Sequence, residues 1–147
     1  MTLTSNRLGR QLESISMPNA RPLSPRISNF TEPFWLQLSD GVFNVVRCCN
    51  CERLHFPPRQ QCTACGSNQV SWQPVSGQAK VYSCTTIHAA PAIFANEVPY
   101  SVVVLDLEEG VRLVTRWMGK PATCNQSARL IVLRHTDGVL FGAIAEK

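Results

Sequence analysis

The sequence contains no apolar run near the about 18 residues that a membrane-spanning helix requires, so no transmembrane segment is expected. It has no glycine-rich phosphate loop, and its three histidines stand in no recognisable catalytic triad or metal motif. No apolar segment of the signal-peptide kind opens it, and its cysteine count, seven, is odd. These absences argue against a self-sufficient active site and a secreted disulfide framework, and they favour a reduced, cytoplasmic protein.

Basic charge is scarce outside the first part of the chain. Residues 1–29 carry four arginines against one glutamate, so most of the formal net charge of +4 lies there. The remaining residues carry ten basic and nine acidic side chains. Because phosphate-backbone binding depends on clustered Lys and Arg, a single-stranded nucleic-acid-binding module is a disfavoured alternative.

Four of the cysteines form two Cys-x-x-Cys pairs with ten residues between them, Cys48/Cys51 and Cys62/Cys65. Each pair aims two thiolates at one point, and two pairs supply the four soft ligands of a tetrahedral Zn²⁺ site. Four protein ligands leave no open position, so the sequence predicts a structural zinc ion rather than a catalytic one. Two disulfides, four free thiols, or replacement of one cysteine by His55 remain as alternatives.

The other three cysteines fit no such site. Cys49 is too close to Cys51 for a knuckle and is interpreted as a spare thiol. Cys84 and Cys124 have no neighbouring His or Lys in sequence, and we expect them to act as small buried apolar residues.

Three regions follow one another along the chain. Residues 1–29 are rich in Arg, Ser, Asn and Pro without an apolar period, and we expect a flexible arm there, or a segment that orders on a partner. Residues 30–73 hold a predicted helix and the zinc ribbon, and residues 74–147 the last domain. The helix is expected to be about two turns long, with Thr31 as its cap, Gly41 at its end, and Phe34, Trp35 and Leu38 as its apolar stripe.

The last domain alternates strand patterns with turn signals. Candidate strands are Ala79–Ile87, Tyr100–Leu107, Val111–Met118, Arg129–His135 and Val139–Ala145. Tight turns at Gly110 and Gly138 join two pairs of them. This pattern predicts a five-stranded OB-fold barrel, with half of a β-sandwich as the alternative. The apolar loop at residues 88–99 carries Ile93 and Phe94, which either plug the barrel mouth or cover a substrate as a lid.

Several short motifs combine into a pattern typical of one family. They are Pro33-Phe34-Trp35, Arg47-Cys48-x-x-Cys51, Phe56-Pro57-Pro58-Arg59-x-x-Cys62-x-x-Cys65-Gly66-Ser67, Val98-Pro99-Tyr100 and Glu109-Gly110-Val111-Arg112-Leu113-Val114-Thr115. Over residues 30 to about 135 the chain resembles the acyl-CoA-associated zinc-ribbon/OB-fold family, long described as a domain of unknown function. Glu52 departs from the family pattern, in which a knuckle glycine is common at this position.

The resemblance implies a mainly β fold made of an N-terminal helix, a rubredoxin-like zinc ribbon and a C-terminal OB-fold barrel. It implies a non-catalytic subunit that docks on a thiolase-superfamily enzyme, as part of a hetero-oligomer, and helps to enclose an acyl-CoA or acyl acceptor. A hotdog-fold enoyl-CoA hydratase is the alternative partner. By position, the zinc ligands would be Cys48, Cys51, Cys62 and Cys65. The residues expected at the partner contact are Phe34, Trp35, Phe56, Pro57, Pro58 and Arg59.

Overall fold

The structure is a computed structural model and describes residues 11–146. Nine strands and one α-helix follow in the order β1 Ser14–Ser16, α1 Glu32–Ser39, β2 Asn44–Cys48, β3 Leu54–His55, β4 Val70–Pro74, β5 Gln78–Ile87, β6 Tyr100–Leu107, β7 Arg112–Trp117, β8 Ser127–His135 and β9 Gly138–Ala145. The predicted fold class, mainly β with one helix, a ribbon and a five-stranded barrel, is confirmed.

Strands β5 to β9 close into the barrel. The pairing runs β8-β5-β6-β7-β9, and β9 pairs back to β8, so no strand of the five is left without two neighbours. β7 and β9 pair in parallel, as a Greek-key path requires, and the other pairs are antiparallel. Alternate residues of β6 point inward, among them Val103, Leu105 and Leu107, which are at most 3% exposed.

The ribbon is a separate three-stranded sheet with β2 at its centre, between β3 and β4. Its base shares the core of the barrel, because Phe43, Val45 and Val75 belong to the same buried apolar cluster as the barrel strands. Helix α1 adds Phe34 and Leu38 to that cluster. The helix, the base of the ribbon and the barrel therefore share one core.

Helix α1 has the predicted end but not the predicted cap. Gly41 has a φ of +83°, and the bonds Gly41 N–H to Leu38 O and Val42 N–H to Gln37 O form a Schellman motif. Thr31 makes no side-chain cap to the helix; instead its Oγ1 accepts from the N–H of Ser28, whose Oγ accepts from the N–H of Thr31. This reciprocal pair is a capping box one turn earlier than the sequence analysis places the cap.

The segment predicted as a flexible arm differs from that expectation in its described part. Residues 1–10 lie outside the described residues. From residue 11 the chain packs on the barrel: Leu12 is 7% exposed within the core, and β1 pairs in parallel with Val132, Leu133 and Arg134 of β8. β8 pairs with β5 only through residues 127–129, so its edge beyond that point is free to accept β1. We call residues 11–29 the strap.

Arg21 holds the strap further along. Its Nη2 donates to the carbonyl of Asp137 at 3.1 Å, and its backbone N–H donates to the Asp137 carboxylate at 2.8 Å. This contact holds the pKa of Asp137 below its ordinary value, first through the backbone N–H of Arg21. The strap shows no apolar period in the sequence, because the residues that hold it on the barrel are Leu12, the three residues of β1 and Arg21.

Candidate metal centre and partner surface

The two knuckles are built where strands end. β2 ends at Cys48, and the chain then turns back so that the N–H of Glu52 donates to the carbonyl of Cys48 at 2.9 Å. This turn requires a left-handed residue, and Glu52 adopts it with a φ of +66°. In the second knuckle Gly66 fills the same role, with a φ of +77°. The knuckle therefore forms at Glu52 without a glycine, and the Glu52 carboxylate pairs with Arg47 at 2.9 Å.

The four cysteines meet at one point. Their Sγ atoms all lie within 4.8 Å of one another. Two contacts cross between the knuckles, Cys48 Sγ to Cys65 Sγ at 3.5 Å and Cys51 Sγ to Cys62 Sγ at 3.6 Å. Four sulfurs at the about 2.3 Å of a Zn–S bond would lie about 3.8 Å apart in a tetrahedron, so the cluster can bind a metal ion of this kind.

Groups around Cys62 and Cys65 favour the thiolate form that a metal needs. At Cys51 the backbone N–H of Arg53 lowers the pKa, but burial and hydrogen bonds to the other three cysteines raise the pKa of the thiol to about 11. The Nδ2 of Asn50 donates to Cys65 Sγ at 3.5 Å and, with the backbone N–H of Ser67, lowers the pKa of the Cys65 thiol to about 6. Backbone N–H groups of Cys65 and Ala64 lower the pKa of Cys62. His55 Nε2 lies 3.0 Å from Cys62 Sγ, while Nδ1 lies 3.1 Å from Thr63 Oγ1. His55 thus lies beside the four-cysteine cluster and is not one of the four groups that form it.

The remaining cysteines differ in part from expectation. Cys49 is exposed, with its Sγ 3.7 Å from Ser71 Oγ. Cys84 is half-buried and donates to the carbonyl of Ala122 at 3.3 Å, and desolvation with the nearby Cys124 raises its pKa. Cys124, expected to be buried, is exposed, because it lies in the loop from Gly119 to Gln126, most of whose residues are exposed.

The predicted partner-contact residues divide into buried and accessible ones. Phe34 is 2% exposed and lies in an aromatic cluster, with ring centroids 5.2 Å from Phe43, 5.7 Å from Phe56 and 6.2 Å from Phe141. A side chain this buried cannot form a docking surface, so for Phe34 the structure contradicts the interpretation as a contact residue. It holds α1, the ribbon and the barrel together instead.

The other five keep some exposure. Trp35 packs edge-on to Phe34 and is half-buried, as are Phe56 and Pro58, while Pro57 and Arg59 are exposed. Three further apolar residues, which were not predicted as contact residues, are exposed: Leu36 at 59%, Ile27 at 52% and Leu23 at 61%. Leu36 follows the buried Phe34 and the half-buried Trp35 on α1, and only the observed orientation of the helix shows that Leu36 points outward.

The apolar loop holds a short 3-10 turn, Ala92–Phe94. Ile93 is 53% exposed, whereas Phe94 is half-buried with its ring 6.1 Å from that of Tyr100. Neither residue belongs to the buried core, so they do not plug the barrel. Phe94 lines one side of a cleft on the outside of the barrel.

Arg112 and Arg116 lie on one face of β7, as their spacing predicts. Arg112 Nε donates to Asp106 Oδ1 at 2.6 Å, and its guanidinium lies 3.6 Å from the ring centroid of Tyr82. Arg116 pairs with Glu97 at 3.4 Å and lies over Tyr100. Since both are already paired within the chain, neither is a free cation for phosphate.

Comparison with known proteins supports the same architecture. The family described as the C-terminal OB-fold domain of ChsH2 matches residues 72–130. In the solved structure of an Ltp2-ChsH2(DUF35) aldolase, one chain superposes with a TM-score of 0.72 at 27% identity, covering 83% of this chain and 98% of that one.

Three relatives match over 69, 101 and 121 residues. A DUF35 domain-containing scaffold protein of Methanocaldococcus jannaschii is 38% identical over 46% of this chain and 49% of its own length. A probable enoyl-CoA hydratase alpha subunit of Thermomonospora curvata is 36% identical over 67% of this chain and 31% of its own length. The benzoylsuccinyl-CoA thiolase subunit BbsA of Thauera aromatica is 28% identical over 78% of this chain and 83% of its own length. The chain thus spans half or less of the first two relatives.

A helix, a four-cysteine ribbon and an OB-fold barrel sharing one core define the class of this protein. Within that class the chain is similar to DUF35 proteins, which confirms the resemblance seen in the sequence. Among the described residues, no helix is long and apolar enough to cross a membrane.

Proposed function

We propose that this chain is a non-catalytic subunit that docks on a thiolase-superfamily enzyme and helps to enclose an acyl-CoA substrate or acyl acceptor. The main support for the proposal is that this chain is similar, over nearly their whole length, to two proteins whose names describe them as parts of enzyme complexes. These are the DUF35 chain of the Ltp2-ChsH2 aldolase, 98% covered, and the thiolase subunit BbsA, 83% covered. Each of the two proteins is similar to this chain over the helix, the ribbon and the barrel, and this similarity supports a shared mode of assembly.

In this proposal the ion held by Cys48, Cys51, Cys62 and Cys65 is zinc and is structural. Four sulfur donors at these separations suit tetrahedral zinc and leave no position for water or substrate. The ion would hold the finger at Phe56, Pro57, Pro58 and Arg59 in place, since that finger lies between the knuckles. The docking surface would then consist of the exposed parts of the finger and of α1, including Trp35 and Leu36, with Phe34 as its internal support.

The test is reconstitution with a partner from the same cell. The tagged chain is co-expressed with the thiolase-superfamily enzyme it co-purifies with, and carbon–carbon bond formation or cleavage on an acyl-CoA is measured for each chain and for both. We expect a stoichiometric complex and activity only when both are present. A partner that is fully active alone, or turnover by this chain alone, would contradict the proposal.

The proposed docking surface is tested by placing a negative charge on it. Arg59→Glu on the finger and Leu36→Glu on α1 should weaken the complex at least tenfold, because both side chains are exposed where the partner would bury them. Lys80→Glu is the matched control, since Lys80 is exposed on β5 of the barrel, away from the finger. If all three variants bound the partner enzyme with equal affinity, the finger and α1 would not be part of the interface.

A hydratase partner is the second candidate, favoured by the match to the Thermomonospora curvata hydratase alpha subunit over 67% of this chain. Because this chain spans only 31% of that relative, the hydratase activity of the relative does not follow for this chain. The two candidate functions differ in which enzyme co-purifies with the chain and in which reaction the resulting complex catalyses. Hydration of an enoyl-CoA by the recovered complex, without thiolase or aldolase activity, would favour this second candidate.

A further inference from the structure

Two cysteines outside the ribbon lie next to each other although they are far apart in sequence. Cys84 belongs to β5, and Cys124 lies in the loop between β7 and β8. Burial is the main cause that raises the pKa of the Cys84 thiol, and the charge and a side-chain hydrogen bond of Cys124 raise it further. The contribution of Cys124 requires that the two sulfur atoms are neighbours. The fold therefore brings two free thiols together.

Hydrogen bonds fix the position of Cys124 beside β5. On one side of Cys124, the N–H of Asn125 donates to the carbonyl of Val81 at 2.7 Å. On the other side, the thiol of Cys84 donates to the carbonyl of Ala122 at 3.3 Å. Cys124 thus lies between two points at which the loop is attached to β5.

The spacing of these two segments suits a disulfide. Cα atoms that are joined by a disulfide are usually about 4.4–6.8 Å apart, and neighbouring strands of a sheet lie about 4.8 Å apart. Because the loop continues the pairing of β8 with β5, it follows β5 at a comparable distance. Cys124 is exposed, so its side chain is free to rotate towards Cys84. The bond therefore requires the rotation of a side chain and no rearrangement of the barrel.

The surroundings of the two thiols give them different roles. Cys124 is exposed, so an oxidant in solution can reach it. Cys84 is half-buried and donates to a backbone carbonyl, so its sulfur is the less accessible one. Redox-sensitive sites commonly combine an accessible cysteine with a second cysteine that completes the disulfide. This arrangement predicts that Cys124 reacts first and Cys84 second.

Metal binding does not explain the pair. Among residues 11–146, no third His, Cys, Asp or Glu side chain lies close enough to Cys84 and Cys124 to complete a metal site. The other five cysteines all belong to the ribbon, four in the cluster and Cys49 beside Ser71. The pair is thus not part of the metal centre, and its chemistry is that of two thiols.

We propose that Cys84 and Cys124 form a reversible disulfide by exchange with a small disulfide such as oxidised glutathione. The Sγ of Cys124, as a thiolate, attacks one sulfur of the oxidant, whose S–S bond breaks and releases one thiol. The Sγ of Cys84, as a thiolate, then attacks the Sγ of Cys124, which breaks the mixed disulfide and releases a second thiol. The protein loses two electrons and two protons, and the oxidant gains both as it becomes two thiols. The new bond ties the loop to β5, and the inference does not depend on the subunit function.

The first test measures the bond directly. The purified full chain is equilibrated with reduced and oxidised glutathione in different ratios, free thiols are blocked, and the chain is digested without reduction for mass spectrometry. We expect a peptide pair joined through Cys84 and Cys124 that increases with the share of oxidised glutathione and disappears with excess dithiothreitol. It should exceed the glutathione adduct of Cys124 at least tenfold. The proposal would be overturned if Cys124 carried only glutathione, paired with a ribbon cysteine instead, or stayed reduced at every ratio.

The order of attack is tested by removing each thiol in turn. Cys84→Ser should accumulate glutathione on Cys124, because no second thiol is present to release it. Cys124→Ser should leave Cys84 reduced, since that sulfur is half-buried. Glutathione on Cys84 in Cys124→Ser, or none on Cys124 in Cys84→Ser, would overturn the proposed order.

The placement of the pair is tested by moving the exposed thiol along the loop. Cys124→Ser/Thr123→Cys shifts it by one residue to a position that is also exposed, and its bond to Cys84 should be at least tenfold less abundant. Cys49→Ser removes an exposed thiol of the ribbon and should form as much of the Cys84–Cys124 bond as the wild type. Equal bond formation by the shifted thiol would show that the fold does not select Cys124, and the proposal would then be wrong.

Discussion

The centre of the ribbon tip is formed by four cysteine sulfur atoms, whereas the centre of the barrel is formed by apolar side chains. Between residues 49 and 69 Cys62 is the one buried residue, whereas every barrel strand contributes buried aliphatic or aromatic side chains to the core. The tip of the ribbon thus buries too little apolar surface to offset the conformational entropy of ordering it. The barrel is stabilised by burial, and we expect the ribbon tip to depend on the metal ion proposed for the four-cysteine cluster.

The largest effect is expected from removing the metal site. Cys48→Ser should abolish metal binding and unfold residues 49–69, since structural zinc contributes folding free energy on the order of 10 kcal/mol in small zinc modules. Amide hydrogen exchange should show lost protection in the ribbon tip and retained protection in the barrel. Cys49→Ser, at the exposed thiol outside the cluster, is the control and should keep its metal content and its protection.

If the barrel unfolded together with the ribbon in Cys48→Ser, the two regions would form a single cooperative unit. The aromatic cluster of Phe34, Phe43, Phe56 and Phe141 is the structural route for such coupling, because it joins α1, the ribbon and β9. Hydrogen exchange measured residue by residue distinguishes the two outcomes.

The second prediction concerns the barrel core. Leu105→Ala removes a side chain with no exposed surface from the centre of β6. It should lower the free energy of unfolding by about 2–5 kcal/mol, through lost burial and the cavity left behind. Urea unfolding measures the loss, and the metal content should remain that of the wild type. Leu36→Ala, at an exposed leucine, is the control and should change stability by less than about 0.5 kcal/mol.

The sequence predicted the two regions with different success. Tyr100–Leu107 was predicted with the observed ends, and the other four barrel strands were predicted within two residues, because turn signals such as Gly110 and Gly138 mark where strands end. The four cysteines were predicted from spacing alone. β1 was missed because Ser14-Ile15-Ser16 has too few residues to show a period. The cleft was missed because its walls come from the strap, the loop and the strands, and only the folded chain brings them together.

The third prediction tests the packing of the strap by comparing two glycines. Gly77 and Gly110 have similar left-handed φ angles, +85° and +92°. A Cβ at Gly77 would lie 2.7 Å from Cδ2 of Leu12 in the strap, whereas a Cβ at Gly110 would meet nothing within 4 Å. Both Ala variants should lose about 1–2 kcal/mol from the backbone conformation.

Gly77→Ala should lose more than Gly110→Ala, because Leu12 must also move. The difference between the two transition midpoints in urea measures the strap contact alone. The double variant Gly77→Ala/Leu12→Ala should lose less than the sum of its single variants, since the shortened side chain removes the clash. Equal stability of Gly77→Ala and Gly110→Ala would mean that the strap does not pack on the barrel as described.

The smallest effect is expected from the ion pair on the outside of the barrel. The guanidinium of Arg112 holds the pKa of Asp106 below its ordinary value, mainly by the hydrogen bond between them. Because the folded pKa is the lower one, the pair contributes stability above the unfolded pKa of about 3.9, and this contribution is lost as the pH falls through the folded value. The side chain of Arg112 is 52% exposed and that of Asp106 is 43% exposed, so solvent screens the contribution strongly.

An NMR titration of Asp106 should show its pKa rising towards the ordinary value in Arg112→Gln, while Arg129→Gln, on β8, leaves the pKa of Asp106 unchanged. A pKa of Asp106 that is the same in wild type and Arg112→Gln would contradict the role assigned to Arg112, and the ion pair would then contribute no pH-dependent stability to the barrel.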